Sequence, residues 1–277
     1  MRADLHLHTT ASDGKLTPQE LVRKAVELKL DVIAITDHDS VEGISPALEA
    51  AKSFAQLLVI PGVEINTDVP KGEVHILGYF IDYHKPELNR ILEELRNSRC
   101  ERGKKMVAKL AEMGINLNWE RVQELAGKGS IGRPHIAQAM LEQGYVSSLR
   151  EAFDKYIGRN GPAYVERKKL TPIKAVEVVL EADGLPVLAH PADIEPLEPF
   201  LLQMKKAGIV GIEVYYNGYN SKTISTLKGF ASKLDLVACG GSDFHGLDEY
   251  IGAAMGSVNL PGESVERLIS LSKHKGG

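Results

Sequence analysis

Asp4-Leu5-His6-Leu7-His8, followed by Thr9 to Ser12 and then by Asp13-Gly14, opens the chain. Because successive side chains of an extended strand alternate between its two faces, His6 and His8 point the same way, and Leu5 and Leu7 point into the opposite layer. The turn-forming residues that follow fold the Asp13 carboxylate back toward the imidazoles. Two imidazoles and a carboxylate that converge begin a divalent metal site, although two histidines of a half-buried strand can also be purely structural.

From this strand the chain continues as alternating helices and buried strands. Thr17-Pro18-Gln19-Glu20 reads as a capping box with proline at the first helical position. The apolar run at 31–36 is typical of a parallel strand that is covered on both faces. Further strands are predicted at 57–65, 74–81, 185–189, 210–215, 234–238 and 255–260. This rhythm favours an α/β barrel that is closed or nearly closed, with an open doubly wound sheet as the alternative.

The pattern between residues 85 and 165 is different, because it is helical throughout. A long helix is predicted from Pro86 to about Met113, and shorter helices follow without a strand. We therefore expect an all-helical insertion domain at 85–165 within a barrel domain made of 1–84 and 166–277. Residues 85–169 carry 17 Lys and Arg against 11 Asp and Glu, in a chain whose total net charge is −4. A basic insert suits an anionic substrate, although a solvated helical face can also be basic.

Composition narrows the class of protein. The 277 residues are 43% hydrophobic and 25% charged, as in water-soluble globular proteins. The two cysteines are far apart and form no C-x-x-C pair, which suggests a reducing compartment. No apolar run is long enough to span a membrane, and no signal-peptide pattern opens the chain. We expect a cytoplasmic protein with no membrane association and no evident obligate protein partner.

Ionisable side chains cluster at the predicted strand ends. Six of the nine histidines lie at the end of a predicted strand or just after one, and three carboxylates share that location. α/β barrels place their chemistry at this edge. A single buried carboxylate can accept backbone hydrogen bonds, but this many buried ionisable groups are difficult to satisfy without cations. The set comprises His6, His8, His38, His75, His190, His245, Asp13, Glu64 and Asp243.

Seven short motifs, distributed in order over the α/β body, together resemble the polymerase and histidinol phosphatase (PHP) superfamily of metal-dependent phosphoesterases. The resemblance implies a distorted (β/α)7 barrel, here with an all-helical insertion, and three divalent metal ions at the strand ends. The motifs are His6-Leu7-His8, Ser12-Asp13-Gly14, Thr36-Asp37-His38, Gly62-Val63-Glu64, His75-Ile76-Leu77-Gly78, His190-Pro191 and Ser242-Asp243-Phe244-His245.

The resemblance also implies which residues hold each metal. The first metal would be bound by His6, His8, Glu64 and Asp243, the second by Asp13, His38 and His245, and the third by Glu64, His75 and His190. A hydroxide that bridges metals, held at Glu64, Asp243 and His8, would attack the phosphoryl group. Mixed imidazole and carboxylate ligands suit Mn, Fe or Zn better than Mg. Of these we expect Mn, with Fe or Zn as alternatives.

The helical insertion resembles a narrower branch of the superfamily, the proteins related to ribonuclease AM. Its members act as 3',5'-nucleoside bisphosphate phosphatases and as 5'-to-3' exonucleases on short RNA. The residues that carry this resemblance are Gly132-Arg133-Pro134-His135 at the start of an insert helix. In the branch, such an arginine and histidine bind a substrate phosphate, and a helix N-terminus suits an anion independently. A histidine in a first turn can also be a cap or a surface residue.

Tyr216 and Asn217 end a strand on the site side, where they could contact a nucleoside or only pack at the rim. The expected activity is hydrolysis of 3',5'-nucleoside bisphosphates such as pAp to the 5'-monophosphate, of 5'-phosphorylated short RNA ends, or of both. The alternative is a histidinol-phosphate or other small-molecule phosphatase, for which so large a basic insert is unnecessary. A non-catalytic nucleic-acid-binding module fits poorly with an intact ligand set. No P-loop and no G-x-S-x-G elbow is present.

Overall fold

The computed structural model describes residues 1–69, 73–127, 129–166, 169–246 and 253–273. In this part of the chain seven strands form one sheet in the order of the sequence. The strands are β1 (Ala3–Leu7), β2 (Val32–Ile35), β3 (Leu58–Asp68), β4 (Glu73–Tyr79), β5 (Leu185–Leu188), β6 (Gly211–Tyr216) and β7 (Val237–Gly241).

Ten α-helices connect and cover these strands within the described ranges. They are α1 (Pro18–Glu27), α2 (Ile44–Ala51), α3 (Pro86–Glu112), α4 (Trp119–Ala126), α5 (Arg133–Glu142), α6 (Leu149–Ala152), α7 (Pro172–Glu181), α8 (Leu197–Ala207), α9 (Ser221–Lys233) and α10 (Gly262–Lys273). No helix among the described residues has both the length and the apolar character needed to cross a membrane.

The sheet curls into a nearly closed barrel, as predicted. The segment after β7 meets the end of β1, where the His8 amide donates to the Phe244 carbonyl at 3.0 Å and the Phe244 amide to the His6 carbonyl at 3.3 Å. The predicted α/β class with a distorted seven-stranded barrel and a helical insertion is therefore confirmed. The capping box at α1 is also present, since Thr17 and Glu20 each accept the other's backbone N–H.

Strand direction departs from the simple α/β pattern at one place. β4 runs antiparallel to both β3 and β5, whereas the other neighbouring strands within the sheet are parallel. His75 is grouped in the sequence with histidines at or just after the ends of predicted strands, but it lies near the beginning of β4. The reversal still brings it to the same edge, since the start of an antiparallel strand lies beside the ends of its neighbours.

The prediction that Leu5 and Leu7 point into the same layer is also wrong. Leu5 packs in the barrel interior with Val32, Ile60 and Tyr79, whereas Leu7 packs in the outer layer between strands and helices. The pairing of β1 with β2 shifts register between Asp4 and Leu7. A β-bulge of this kind gives the strand one extra residue and changes the face of the side chains beyond it.

The strand predicted at 255–260 does not form, since this segment consists of turns and irregular backbone. Gly256 adopts a φ of +72°, which interrupts an extended conformation. Met255 and Leu260 are nevertheless buried.

The helical segment between β4 and α7 has its own hydrophobic cluster, which includes Met106, Leu110, Val122 and Met140. The first turns of α3 belong instead to the outer core of the barrel, through residues such as Leu92. α3 therefore joins the two cores as one continuous helix. The domain boundaries at 85 and 165 stay a prediction.

Candidate metal centre

All nine predicted metal ligands lie at one edge of the barrel. β1, β3 and β4 carry one each, and the loops after β1, β2, β5 and β7 carry the rest. β6 supplies none. His6, His8 and Glu64 are fully buried. The structure brings eight of the nine side chains into three overlapping groups of potential ligand atoms. The third of these groups comprises His38, Glu64 and His75, whereas His190 lies beside it and belongs to none of the three.

The first group lies where the ends of β1 and β7 meet the middle of β3. The Nε2 atoms of His6 and His8 each lie 3.3 Å from Oε2 of Glu64. The same nitrogens lie 3.3 and 3.0 Å from Oδ1 of Asp243. These four residues correspond to the set predicted for the first metal, and their atoms all face one point.

The second group is built around Asp13. Its Oδ1 lies 3.3 Å from Nε2 of His245, and its Oδ2 lies 3.9 Å from Nε2 of His38. His8 belongs to this group as well, because its Nδ1 is 3.9 Å from Asp13 Oδ1 and its ring stacks on His245 with centroids 4.1 Å apart. The two nitrogens of His8 therefore face two different groups.

The third group lies on the other side of Glu64. Oε1 of Glu64 is 2.7 Å from Nδ1 of His75 and 3.4 Å from Nε2 of His190, and these two nitrogens are 3.2 Å apart. Oε2 of the same carboxylate lies 2.7 Å from Nδ1 of His38. Glu64 thus stands at the centre of the cluster, with five histidines within 3.4 Å of its two oxygens.

Neighbouring charges oppose the effect of burial on the pKa of Glu64 and reinforce it on the pKa of His8. Burial alone would raise the pKa of the Glu64 carboxyl, but His38, His75 and His6 hold this pKa well below its usual range. Burial, reinforced by His245 and His38, lowers the pKa of His8 to about 3. His8 is therefore a neutral imidazole at pH 7, which is the state that binds metals.

The buried ligand atoms fit bound cations. Six buried side-chain nitrogens and oxygens of this cluster make no hydrogen bond of good geometry, although some lie as close as 2.7 Å to another ligand atom. An unsatisfied buried polar atom costs on the order of 1–3 kcal/mol, so six in one place are not explained by packing alone. Imidazole nitrogens and carboxylate oxygens are ligands of Mn, Fe and Zn. The atoms are His6 Nε2, His8 Nδ1, His8 Nε2, Asp13 Oδ1, Glu64 Oε2 and His75 Nε2.

Two buried aspartates that are absent from the predicted ligand set hold the loops around the cluster. Asp37 accepts hydrogen bonds from the amide and hydroxyl of Thr9, both at 2.7 Å, and from the Ser12 hydroxyl at 2.6 Å. Asp4 accepts from the Ser242 amide at 2.8 Å and from its hydroxyl at 2.6 Å. The loops that carry Asp13 and Asp243 are therefore tied to the strand ends. In the sequence Asp37 stands just after a strand and Asp4 near the start of one, and neither position indicated the hydrogen-bond partners.

The N-terminus of α5 lies against the cluster. A β-carbon built on Gly132 would be 3.7 Å from Oδ2 of Asp13. The Gly132 amide donates to Nδ1 of His135 at 3.0 Å, so this ring does cap its own helix. Its Nδ1 is thereby an acceptor, and in the neutral ring the proton is on Nε2. The Arg133 guanidinium lies 5.6 and 5.8 Å from the ring centroids of Phe153 and Tyr164.

The two candidate nucleoside contacts are placed differently from each other. The Tyr216 hydroxyl donates to Oδ2 of Asp243 at 2.8 Å, so this side chain touches a predicted metal ligand. Its ring lies 5.4 Å from that of His190. Asn217 is exposed in the turn after β6. The sequence placed both residues near the site but did not indicate the contact with Asp243.

Curated relatives of known name match most of the chain. The 5'-3' exoribonuclease Rnm of Escherichia coli is 36% identical over 247 residues, which cover 87% of this chain and 84% of the relative. The 3',5'-nucleoside bisphosphate phosphatase of Chromobacterium violaceum is 32% identical over 252 residues, with coverages of 87% and 86%.

Two solved structures and one family model also match most of the chain. A structure from Bifidobacterium adolescentis, described as a metal-dependent phosphoesterase, has a TM-score of 0.88 at 28% identity and covers 97% of this chain and 95% of its own. An amidohydrolase from Chromobacterium violaceum, solved with sulfate and no metal, has a TM-score of 0.89 at 30% identity, with coverages of 98% and 97%. The PHP domain model matches residues 4–247. The chain therefore belongs to the PHP domain family, and it is a metal-dependent phosphoric ester hydrolase.

Proposed function

We propose that this enzyme hydrolyses 3',5'-nucleoside bisphosphates such as pAp to the 5'-monophosphate, and that it removes nucleotides from 5'-phosphorylated short RNA at the same site. The names of the relatives from Escherichia coli and Chromobacterium violaceum support these two substrate classes. One chemistry serves both, because each reaction displaces an alcohol from a phosphoryl group that has a second phosphate nearby.

The observation that carries this proposal is the convergence of nine ligand side chains, Glu64 among them, at one edge of the barrel. We assign them to three divalent metal ions, with Mn preferred over Fe or Zn. His6, His8, Glu64 and Asp243 would hold the first, Asp13, His38 and His245 the second, and Glu64, His75 and His190 the third. When bound, such ions activate water near neutral pH and neutralise charge on the phosphoryl oxygens.

The protein's own contribution is position and orientation. Glu64, Asp243 and His8 surround the place from which the attacking oxygen reaches the phosphorus, and the rigid strand ends keep this place fixed. His8 serves two neighbouring ligand groups with its two nitrogens, which couples their spacing to one side chain. A short and fixed spacing suits in-line displacement of a phosphate ester.

We assign recognition of the second phosphate to the start of α5. Burial lowers the pKa of His135, so this ring is neutral at pH 7, and its Nε2–H can donate one hydrogen bond. Arg133 adds a permanent positive charge with planar donors, which suits a phosphate. Backbone amides of the first turn add to the positive potential. Tyr216 and Asn217 remain proposed contacts of the nucleoside.

The basic character of residues 85–169 supports a substrate with several phosphates. A small monophosphate needs no such surface. We also propose a cytoplasmic location, because Cys100 and Cys239 are both free thiols, as is usual in a reducing compartment.

The test is a panel of substrates assayed for phosphate or nucleotide release with Mn²⁺: pAp, a 5'-phosphorylated dinucleotide and histidinol phosphate. We expect turnover of the first two and little of the third. His6→Ala should abolish turnover and lower metal content, whereas His84→Ala, which removes an exposed histidine outside the cluster, should change neither. Preferential turnover of histidinol phosphate, or full activity of the His6 variant after metal stripping, would refute the proposal.

A further inference from the structure

β6 supplies no predicted metal ligand, yet one of its side chains is buried directly behind the cluster. Glu213 is fully buried. It lies on β6 between β5 and β7, the two strands that lead into the loops of His190 and Asp243. A buried carboxylate is costly unless its oxygens accept hydrogen bonds.

One oxygen of Glu213 faces His6. Its Oε1 lies 3.1 Å from Nδ1 of the imidazole. Because a carboxylate can only accept, the proton of this bond is on Nδ1. The opposite nitrogen, Nε2, points at Oε2 of Glu64 and Oδ1 of Asp243, each at 3.3 Å. The bond therefore selects the nitrogen that His6 presents to the cluster and the orientation of its ring.

The other oxygen of Glu213 faces the backbone of His190. The His190 amide donates to Oε2 at 2.9 Å. This residue has a φ of +26° and a ψ of +60°, a left-handed conformation that disfavours a side chain with a β-carbon. The conformation aims its Nε2 at Glu64 and His75. The hydrogen bond to a buried carboxylate compensates for the strain at this turn.

We propose that Glu213 is a positioning residue that fixes His6 and His190 together, and so links the first and third ligand sets through one carboxylate. The inference rests on the proposed function of these histidines as metal ligands. It assigns Glu213 no contact with substrate. Histidine ligands commonly donate their second nitrogen to a carboxylate, and loss of that partner weakens metal binding about 10- to 100-fold.

The first test compares Mn²⁺ binding to the wild type, Glu213→Gln and Tyr79→Phe by calorimetry after metal stripping. Gln has nearly the same volume as Glu, but only one end of its side chain can accept a hydrogen bond. Its NH2 group must therefore face one of the two donors, His6 Nδ1–H or the His190 amide. We expect binding about 10- to 100-fold weaker at two sites, with the site of Asp13, His38 and His245 changed less than threefold. Tyr79→Phe is the matched control, because it removes a buried hydrogen bond to the Leu5 carbonyl on the same strand, β1.

A kinetic readout separates positioning from substrate binding. The Mn²⁺ concentration that half-activates Glu213→Gln should rise at least tenfold, whereas the KM for pAp at saturating Mn²⁺ should stay within about threefold of the wild type. A higher KM with unchanged Mn²⁺ activation would overturn the inference. Wild-type stoichiometry and affinity for Mn²⁺ in this variant would also overturn it.

Two further measurements keep the inference testable if Glu213→Gln does not fold. Glu213→Asp keeps the charge but is one methylene shorter, and should weaken Mn²⁺ binding in the same direction. In the Zn²⁺-loaded wild type, ¹⁵N spectra should show His6 protonated at Nδ1; metal bound at Nδ1 would overturn the inference. Failure of the proposed function can be distinguished from failure of this inference. In that case the wild type would bind Mn²⁺ through these residues but would turn over none of the panel substrates.

Discussion

The hydroxyl of Tyr216 donates a hydrogen bond of 2.8 Å to Oδ2 of Asp243, while Oδ1 of the same carboxylate faces His6 and His8. A residue expected at the nucleoside thus also orients a predicted ligand. Because the bond uses one oxygen of Asp243, it leaves the other directed at the two imidazoles.

Replacing Tyr216 with Phe should weaken metal binding. The change removes one hydrogen bond to a charged group, worth about 1.5–3 kcal/mol, so we expect roughly 10-fold weaker Mn²⁺ affinity and a similar loss of activity at limiting Mn²⁺. Tyr219→Phe is the control, because that hydroxyl instead accepts from the Ala192 amide. A raised KM for pAp with unchanged Mn²⁺ affinity would show that Tyr216 acts on the substrate alone.

Metal binding should release protons, and affinity should therefore rise with pH. Burial opposes protonation of His245, but Asp13 and Asp243 raise its pKa to about 10 in the metal-free protein. The pKa values of His38 and His190 are also raised, against burial, chiefly by Glu64. A metal must displace these protons, so affinity falls as pH falls, by about tenfold per pH unit for each proton released.

Calorimetry of Mn²⁺ binding in buffers of different ionisation enthalpy measures this release. We expect at least one proton to be released near pH 7. Equal affinity at pH 6 and pH 8, with no dependence of the heat on the buffer, would contradict the prediction.

Replacing Arg133 with Ala should affect substrates that carry a second phosphate. We expect the KM for pAp to rise about 10- to 100-fold, as for loss of one charged hydrogen-bonding partner, with a smaller effect on a simple phosphodiester. Arg133→Lys should recover only part of the loss, because Lys lacks the planar donors. Arg121→Ala, at an exposed arginine paired with Glu142 on the helical segment, is the control. Equal losses on both substrates would exclude this role.

The ion pair between Arg99 and Asp39 should stabilise the junction of α3 with the barrel. Nε of Arg99 donates to Oδ2 of Asp39 at 2.7 Å, and both side chains are buried. Removing one partner leaves a buried charge, so Arg99→Met should lower the free energy of unfolding by about 3–5 kcal/mol.

Urea denaturation followed by circular dichroism measures this difference. Arg90→Ala is the matched control on the same helix, because Arg90 pairs with Glu87 at the surface; such pairs contribute about 0–1 kcal/mol. A loss from Arg99→Met no larger than that from the control would contradict a structural role for the buried pair.

Much of the site was predictable because its signals are local. The side-by-side arrangement of His6 and His8 follows from strand geometry, and their rings do lie 5.1 Å apart. The apolar run before Asp37 and His38 marked a strand end without knowledge of its neighbours. The grouping of ligands by metal, however, came from the resemblance to PHP proteins, and it stays a prediction.

Other features were decided by the tertiary structure. His75 reaches the site only because β4 is reversed, and the strand predicted at 255–260 is replaced by turns. Leu5 and Leu7 face different layers because the register of β1 shifts between Asp4 and Leu7. Each of these depends on which strand lies alongside another, and pairing between distant segments is not encoded in the periodicity of either one.

The sequence by itself therefore determined the residue types of the nine side chains and, for those at the ends of parallel strands, their common edge of an α/β barrel, since residue type and strand ends are properties of short segments. Only the tertiary structure decided what holds those side chains: Tyr216 on Asp243, and Glu213 on His6 and His190. The physical reason is that a hydrogen bond between residues more than 200 positions apart, such as that of His6 with Glu213, exists only once the barrel brings their strands together.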